Sequence, residues 1–268
     1  MTPPLPAPGS LERWAWDYVT ATDLAHKLSP PPIPSEVEEH PVPRVLSAPG
    51  RPAALSVATR AEKSPSANAL RATEARCRLV HTFLHHELQA AELFAWALLA
   101  FPEAPAAFRK GLVTILRDEL RHMAMYGEYL DARGVAFGAW PVRDWFWSRV
   151  PRVGSAAGFC AVMGMGLEAG NLDHTARFAQ RFRDAGDPEG ARMQDLVGEE
   201  EVPHVRFGVH WFRRLTGELA YARWASMLPE PLSPWMMKGP TLARDLRARA
   251  GMDDAFLDAL EAARLEAR

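Results

Sequence analysis

Four stretches of this 268-residue chain, 66–100, 105–133, 155–186 and 188–215, each carry a stripe that advances in steps of four and three. The first runs Val80, Leu84, Glu87, Ala91, Phe94, Leu98; the second Phe108, Leu112, Ile115, Glu119, His122, Tyr126, Tyr129. The third runs Ala161, Met165, Glu168, Leu172, Thr175, Ala179, Phe182; the fourth Val197, Glu201, His204, Gly208, Trp211, Leu215. Such steps return to one face of a helix, so each stretch reads as a helix with one side turned inward. Four such helices bury their stripes against one another as a bundle. No stretch alternates with period two over more than a few residues, so no sheet is expected. The predicted fold class is all-α: a four-helix bundle over 66–215, a helix and Pro-rich extended arm over 1–65, and a helical extension over 216–268.

The middles of the stripes are polar. Glu87, Glu119, His122, Glu168, Glu201 and His204 stand where a bundle is driest. A carboxylate there costs several kcal/mol unless it is paired or binds a metal. Four at one level repel each other, whereas two divalent cations neutralise them and leave two neutral imidazoles as further ligands. The i, i+3 spacing of Glu119–His122 and of Glu201–His204 puts each pair on one helix face. One Glu from each of two helices, with one Glu-x-x-His from each of the other two, is the ligand pattern of di-iron carboxylate bundles. The pattern also repeats along the chain. Glu119 follows Glu87 by 32 residues and Glu201 follows Glu168 by 33. Asp118 precedes Glu119 as Glu200 precedes Glu201, and Glu92 follows Glu87 by five as Asp173 follows Glu168.

Residues 66–215 resemble the ferritin-like superfamily, which includes bacterioferritins, rubrerythrins and di-iron hydroxylases. The segments HHELQAAELFAWALL, DELRHMAMYGEYL, GLEAGNLDHT and EEEVPHVRFGVHWF carry a closer likeness, together with the early LERWAWDYVTATDLAHKLSPPP and the APGRP motif. These resemble a bacterial family of ferritin-like proteins of unassigned function. The likeness covers most of the chain; it implies fold and metal, and says little of substrate. In related bacterioferritins an acid just before the ligand Glu hydrogen-bonds the histidine of the opposite half. By that resemblance Asp118 and Glu200 would fix the imidazole tautomers, the alternative being plain surface acids; Glu92 and Asp173, matched in the repeat, are further candidates for supporting the ligands.

Several positions leave alternatives. Glu92 competes with Glu87 as first-helix ligand; the two lie about 140° apart on a helix of ~3.6 residues per turn, and the stripe favours Glu87. Pro203, between Glu201 and His204, removes a helix hydrogen bond, so the fourth helix either kinks or forms a π-type bulge at its ligands. His81, His85 and Glu92 share a face that suits a satellite metal. Tyr126, one turn beyond His122, is the candidate catalytic side chain, against a plain core tyrosine. Gly164, Gly166 and Gly170 around Glu168 serve close packing or leave room beside the metals.

Composition narrows the partners. The 31 basic and 33 acidic residues give a formal charge of −2, which does not suit a nucleic-acid partner. Cys77 and Cys160 form no C-x-x-C, as expected of a reducing, cytoplasmic setting. The longest uncharged stretch, Val153–Leu167, is 15 residues and too short to span a membrane. The start MTPPLPAPGSLERW lacks a basic and apolar leader, so no signal peptide is expected. Thirteen of the 23 prolines fall in residues 1–65. There Leu11–Leu28 reads as one helix capped by Ser10, and 29–65 as an extended segment draped over the body through Ile33, Val37, Val42, Val45, Leu46 and Leu55.

Carboxylate and imidazole ligands without thiolates suit two iron ions, or iron with manganese. The expected activity is O2-dependent oxidation or oxygenation of a small organic molecule. Electrons would come from a separate donor, and a homodimer is compatible with this reading. The alternatives are ferritin- or rubrerythrin-type iron oxidation or peroxide handling, a tRNA hydroxylase-like enzyme, and a non-catalytic metal-binding bundle.

Overall fold

The structure, a computed structural model, describes residues 4–59 and 65–264. Residues 1–3 and 60–64 of the predicted arm, and 265–268 of the predicted extension, lie outside the described residues. The chain falls into two compact units, Met1–Pro151 and Arg152–Arg268. All regular structure among the described residues is helical; the exception is an isolated bridge between Val57 and Val142.

In the first unit, α1 (Leu11–Thr20) starts at Ser10, whose hydroxyl accepts from Arg13 N at 3.0 Å. The predicted single helix to Leu28 is broken. Asp23 caps a separate α2 (Leu24–Leu28) by accepting from His26 N, which ends α1 early. The long pair is α3 (Thr73–Ala100) and α4 (Ala106–Asp131). Every member of the two predicted stripes is buried. From Glu87 to Ala100, α3 is buried on all sides, as a helix inside a core must be.

The Pro-rich arm provides part of that cover, by a different means from the one expected. Leu55 is buried, but Val37, Val42 and Val45 are exposed. Polar contacts hold the segment. Arg44 N donates to Leu99 O at 2.8 Å, Gly50 N to Val19 O at 2.8 Å, and Trp96 Nε1 to Leu46 O at 3.0 Å. A chain so rich in proline lacks the regularity to present an apolar face, and its remaining amides and carbonyls bond to the helices instead.

In the second unit, α5 (Ala156–Phe159) runs without a break into π-helical turns over Cys160–Glu168 and then into α6 (Ala169–Asp184). Asp187 caps α7 (Pro188–Thr216), and Gly217 ends it at φ 85°. The third stripe is wholly buried; the fourth is buried as far as Trp211, whereas Leu215 is exposed near the helix end. No π-type bulge forms at Pro203, and α7 is α-helical on both sides of it. Pro203 and Glu199 are both exposed, so the carbonyl that loses its helix partner lies on the outer side of the helix. The wide turns lie in the neighbouring helix, where Trp224 Nε1 donates to Ala161 O at 2.9 Å. Gly164 there meets Gly208 of α7 backbone to backbone: a Cβ on Gly164 would stand 2.7 Å from Gly208 Cα. After α8 (Tyr221–Ala225) come α9 (Arg244–Arg249) and α10 (Asp254–Ala262). No helix among the described residues is long and apolar enough to cross a membrane.

Candidate metal centre

In the first unit, the short connector after α3 sets the level of the donors. Glu87 and Glu119 lie sixteen residues on either side of Glu103, so the turn brings them abreast. His122 follows one turn after Glu119 on the same face. One donor atom from each of Glu87, Glu119 and His122 falls within 4.8 Å of the others. The imidazole presents Nδ1 to the carboxylates, 3.5 Å from Glu87 Oε2 and 3.9 Å from Glu119 Oε2.

The second unit repeats the set. Glu168 closes the π-helical turns, and α7 supplies Glu201 and His204. Their donor atoms also lie within 4.8 Å of one another. His204 Nδ1 is 3.0 Å from Glu201 Oε2, and Asn171 Nδ2 donates to Glu201 Oε1 at 3.0 Å.

All six residues are 5 % exposed or less, too dry for solvent to balance two carboxylates per unit. An ion about 2.0–2.2 Å from each ligand atom brings neighbouring donors to about 3 Å, a spacing these sets reach with small side-chain movement. Both cysteines are buried thiols and neither belongs to a set. The donor chemistry is oxygen and imidazole nitrogen, which fits iron or manganese.

The family described as "Protein of unknown function (DUF455)" matches residues 10–258. The chain belongs to that family. An "Uncharacterized protein" of Haemophilus influenzae is similar at 24% identity over 111 residues, which is 41% of this chain and 38% of that protein. The match thus spans well under half the length of that relative. No solved structure matches the chain.

Other predicted positions in this DUF455 chain have structural occupations. Glu92 points away from the Glu87 set and is completely buried. It accepts from Lys27 Nζ at 2.7 Å, Arg51 Nη1 at 2.5 Å and Nη2 at 2.9 Å, and Trp147 Nε1 at 2.8 Å. Arg51 also holds Asp144, whose carboxyl falls to about 2 because hydrogen bonds from His85 and Arg51 outweigh its burial. Asp173 has the same kind of place in the second unit. It accepts from Gly239 N, Ala243 N, Arg247 Nε and Arg247 Nη2 at 2.7–3.1 Å. Both residues hold flanking segments to a helix that carries one of the buried donor residues.

The satellite site does not assemble. His81 Nε2 accepts from Gly138 N at 2.9 Å, His85 Nδ1 meets Gln89, and Glu92 is committed to cations elsewhere. Asp118 is half-buried and accepts from Arg121 Nη1 at 2.7 Å; Glu200 is half-buried beside Glu201. Tyr126 is buried one turn beyond His122, its ring 5.8 Å from Phe83. Two features escaped the sequence reading. Lys27, Arg51 and Arg247 are cations remote in sequence from the acids they meet. Asn171 is marked only by standing three residues after Glu168.

Proposed function

We propose that this DUF455 chain is a ferritin-like di-iron, or iron–manganese, carboxylate oxidoreductase that uses O2 to oxygenate or oxidise a small organic substrate. The reading rests on the repetition of one buried donor set, Glu87 with Glu119 and His122, and Glu168 with Glu201 and His204. In this reading the two sets supply the ligands for two ions per chain. Four carboxylates cancel the charge of two divalent cations, so the imidazoles bind as neutral ligands. When bound, an iron pair supplies two electrons and open positions for the reduction of O2.

The protein's share is placement and dryness. Glu119–His122 and Glu201–His204 offer their ligands from single helix faces, and the apolar stripes around them exclude water. Tyr126 is the side chain this reading puts beside the substrate. Electrons for repeated turnover come from a separate donor, because the chain has no cysteine cluster to hold a further iron centre.

Oxygen uptake tests the proposal. Protein loaded with Fe(II) without air, then mixed with air at an oxygen electrode, should consume O2 and stop near two irons oxidised per chain. Oxidation continuing far beyond two, with mineral formed, would make it a storage protein. No uptake with iron bound would end the oxidoreductase reading.

A further inference from the structure

The first unit has an open groove of about 510 Å³ on the outer side of α4. Arg117 and Arg121, two of its lining residues, stand two places before and two places after Glu119. On a helix of ~3.6 residues per turn both lie about 160° around α4 from that ligand candidate, so the groove is separate from the donor set. The opposite wall is the segment 28–33, which carries Leu28 and Ile33. That wall is stiff: Pro30, Pro31 and Pro32 have a fixed φ and no N–H to offer, and Trp14 Nε1 donates to Pro31 O at 2.8 Å. It does not fold down onto α4, and Leu28, Ile33 and Leu120 along the groove are only half-buried.

Charge and shape select the occupant. Most of the lining is apolar, and its only charged side chains are the two arginines. Asp118 accepts from Arg121 Nη1 at 2.7 Å and balances part of that charge, while the Arg121 side chain stays 53 % exposed. The exposed side chain of Arg117 has no acidic partner among the described residues. One end of the groove is therefore positive, and Ala124 at the other end is uncharged. The two ends are seven residues apart on α4, about 10 Å at a rise of 1.5 Å per residue. A guanidinium pairs best with a planar oxyanion that accepts two parallel hydrogen bonds. No aromatic side chain lines the groove, so nothing there stacks on a ring. We propose that the groove binds a free medium-chain aliphatic carboxylate, its head group at Arg117 and Arg121 and its tail along Leu28, Ile33, Leu120 and Ala124. The proposal needs neither metal ions nor O2, and it describes a ligand distinct from any substrate at the donor set.

Isothermal titration calorimetry of the full chain at low salt, with octanoate and decanoate, tests this. Each should bind once per chain, and decanoate should bind more tightly by about two- to fourfold for each added CH2. Octylammonium, with the same tail as an octyl acid and the opposite charge, should not bind. Arg117→Gln should weaken decanoate by about tenfold or more and leave the melting temperature unchanged, because the side chain has no partner in the fold to lose. Ala124→Trp, at an exposed position, fills the uncharged end and should remove the advantage of decanoate over octanoate. Decanoate binding unchanged in Arg117→Gln, or octylammonium binding as well as octanoate, would overturn the proposal. So would the lack of any saturable decanoate binding; co-sedimentation with phosphatidylglycerol vesicles in that case would make this face a membrane contact. The two-ion reading stands under every one of these outcomes.

Discussion

Lys27 Nζ lies 2.7 Å from Glu92 Oε1, with neither side chain exposed to solvent. Arg247 and Asp173 form the corresponding pair in the second unit at 2.8 Å, again with no exposure on either side. Each acid stands five residues after a candidate ligand, Glu87 or Glu168, on the opposite side of the same helix. The helices that carry Glu87 and Glu168 therefore have two polar faces. One gathers donors; the other holds a flanking segment by charge.

Removing Asp173 leaves the Arg247 guanidinium buried with its main partner gone, and Nη1 already lacks a hydrogen bond in the folded chain. Asp173→Ala should destabilise the protein by about 3–5 kcal/mol, as measured by denaturant unfolding. Asp173→Leu combined with Arg247→Met should recover much of that loss. It should not recover all of it, because Gly239 N and Ala243 N still lose their acceptor. A double variant no better than the single would show that the amides, and not the charge, account for the effect.

Glu87 and Glu92 should separate by readout. Glu87→Gln should lower metal content measured by elemental analysis, with a modest effect on stability. Glu92→Gln should keep its metal and unfold earlier, because it disturbs Lys27, Arg51 and Trp147 together. The opposite pattern would place the ligand on the other side of α3. Glu119→Ala and Glu201→Ala should each lose at least one ion per chain.

These anchors show how far the sequence could be read. The stripes gave the helices and the inward positions of Glu87, Glu119, His122, Glu168, Glu201 and His204, because helical periodicity is local. The cationic partners of Glu92 and Asp173 lie 41 and 65 residues away in one case and 74 in the other. No periodicity links such pairs, and nothing in α3 alone tells which cation arrives. The π-helical turns lie over Cys160–Glu168 and not at Pro203, where the sequence allows a kink or a bulge. Proline is visible in a sequence, whereas the close approach of Gly164 to Gly208 and the reach of Trp224 to Ala161 O belong to packing.

Two glycine-to-alanine changes should have opposite signs. In Gly208→Ala the new methyl would come 2.8 Å from Gly164 Cα, backbone that cannot turn aside, and should cost about 1–3 kcal/mol. In Gly127→Ala on α4 it would meet only Leu84 Cδ1 at 3.7 Å, an ordinary contact. The better helix former should then stabilise by up to about 1 kcal/mol. Thermal or urea unfolding of the two variants beside the wild type checks both signs.

Acid should weaken the first unit through His81. Burial, then the neighbouring His85, lower its pKa from 6.5 to about 4, and its Nε2 must stay unprotonated to accept from Gly138 N. Between those values the unfolded chain takes up a proton that the folded chain refuses, so stability falls as pH falls. The contribution is complete above about pH 6.5 and gone below about pH 4, a loss on the order of 3 kcal/mol. His81→Gln keeps an acceptor that does not titrate and should flatten this part of the curve. Asp144 loses its contribution lower down, as pH falls toward 2. An unchanged slope between pH 6.5 and 4 in His81→Gln would assign the acid sensitivity to other groups.

The anchoring acids impose a one-way condition on the chain's length. A helix that had never met the Pro-rich arm could carry an apolar residue in place of Glu92 and lose little. With Glu92 in place, trimming the arm strands a charge inside the protein, and the shortened chain is worse off than one that never had the arm. The same holds for Asp173 and the segment that brings Arg247. Additions of this kind act as a ratchet: once a buried charge is balanced by a peripheral segment, that segment can be rebuilt more easily than deleted.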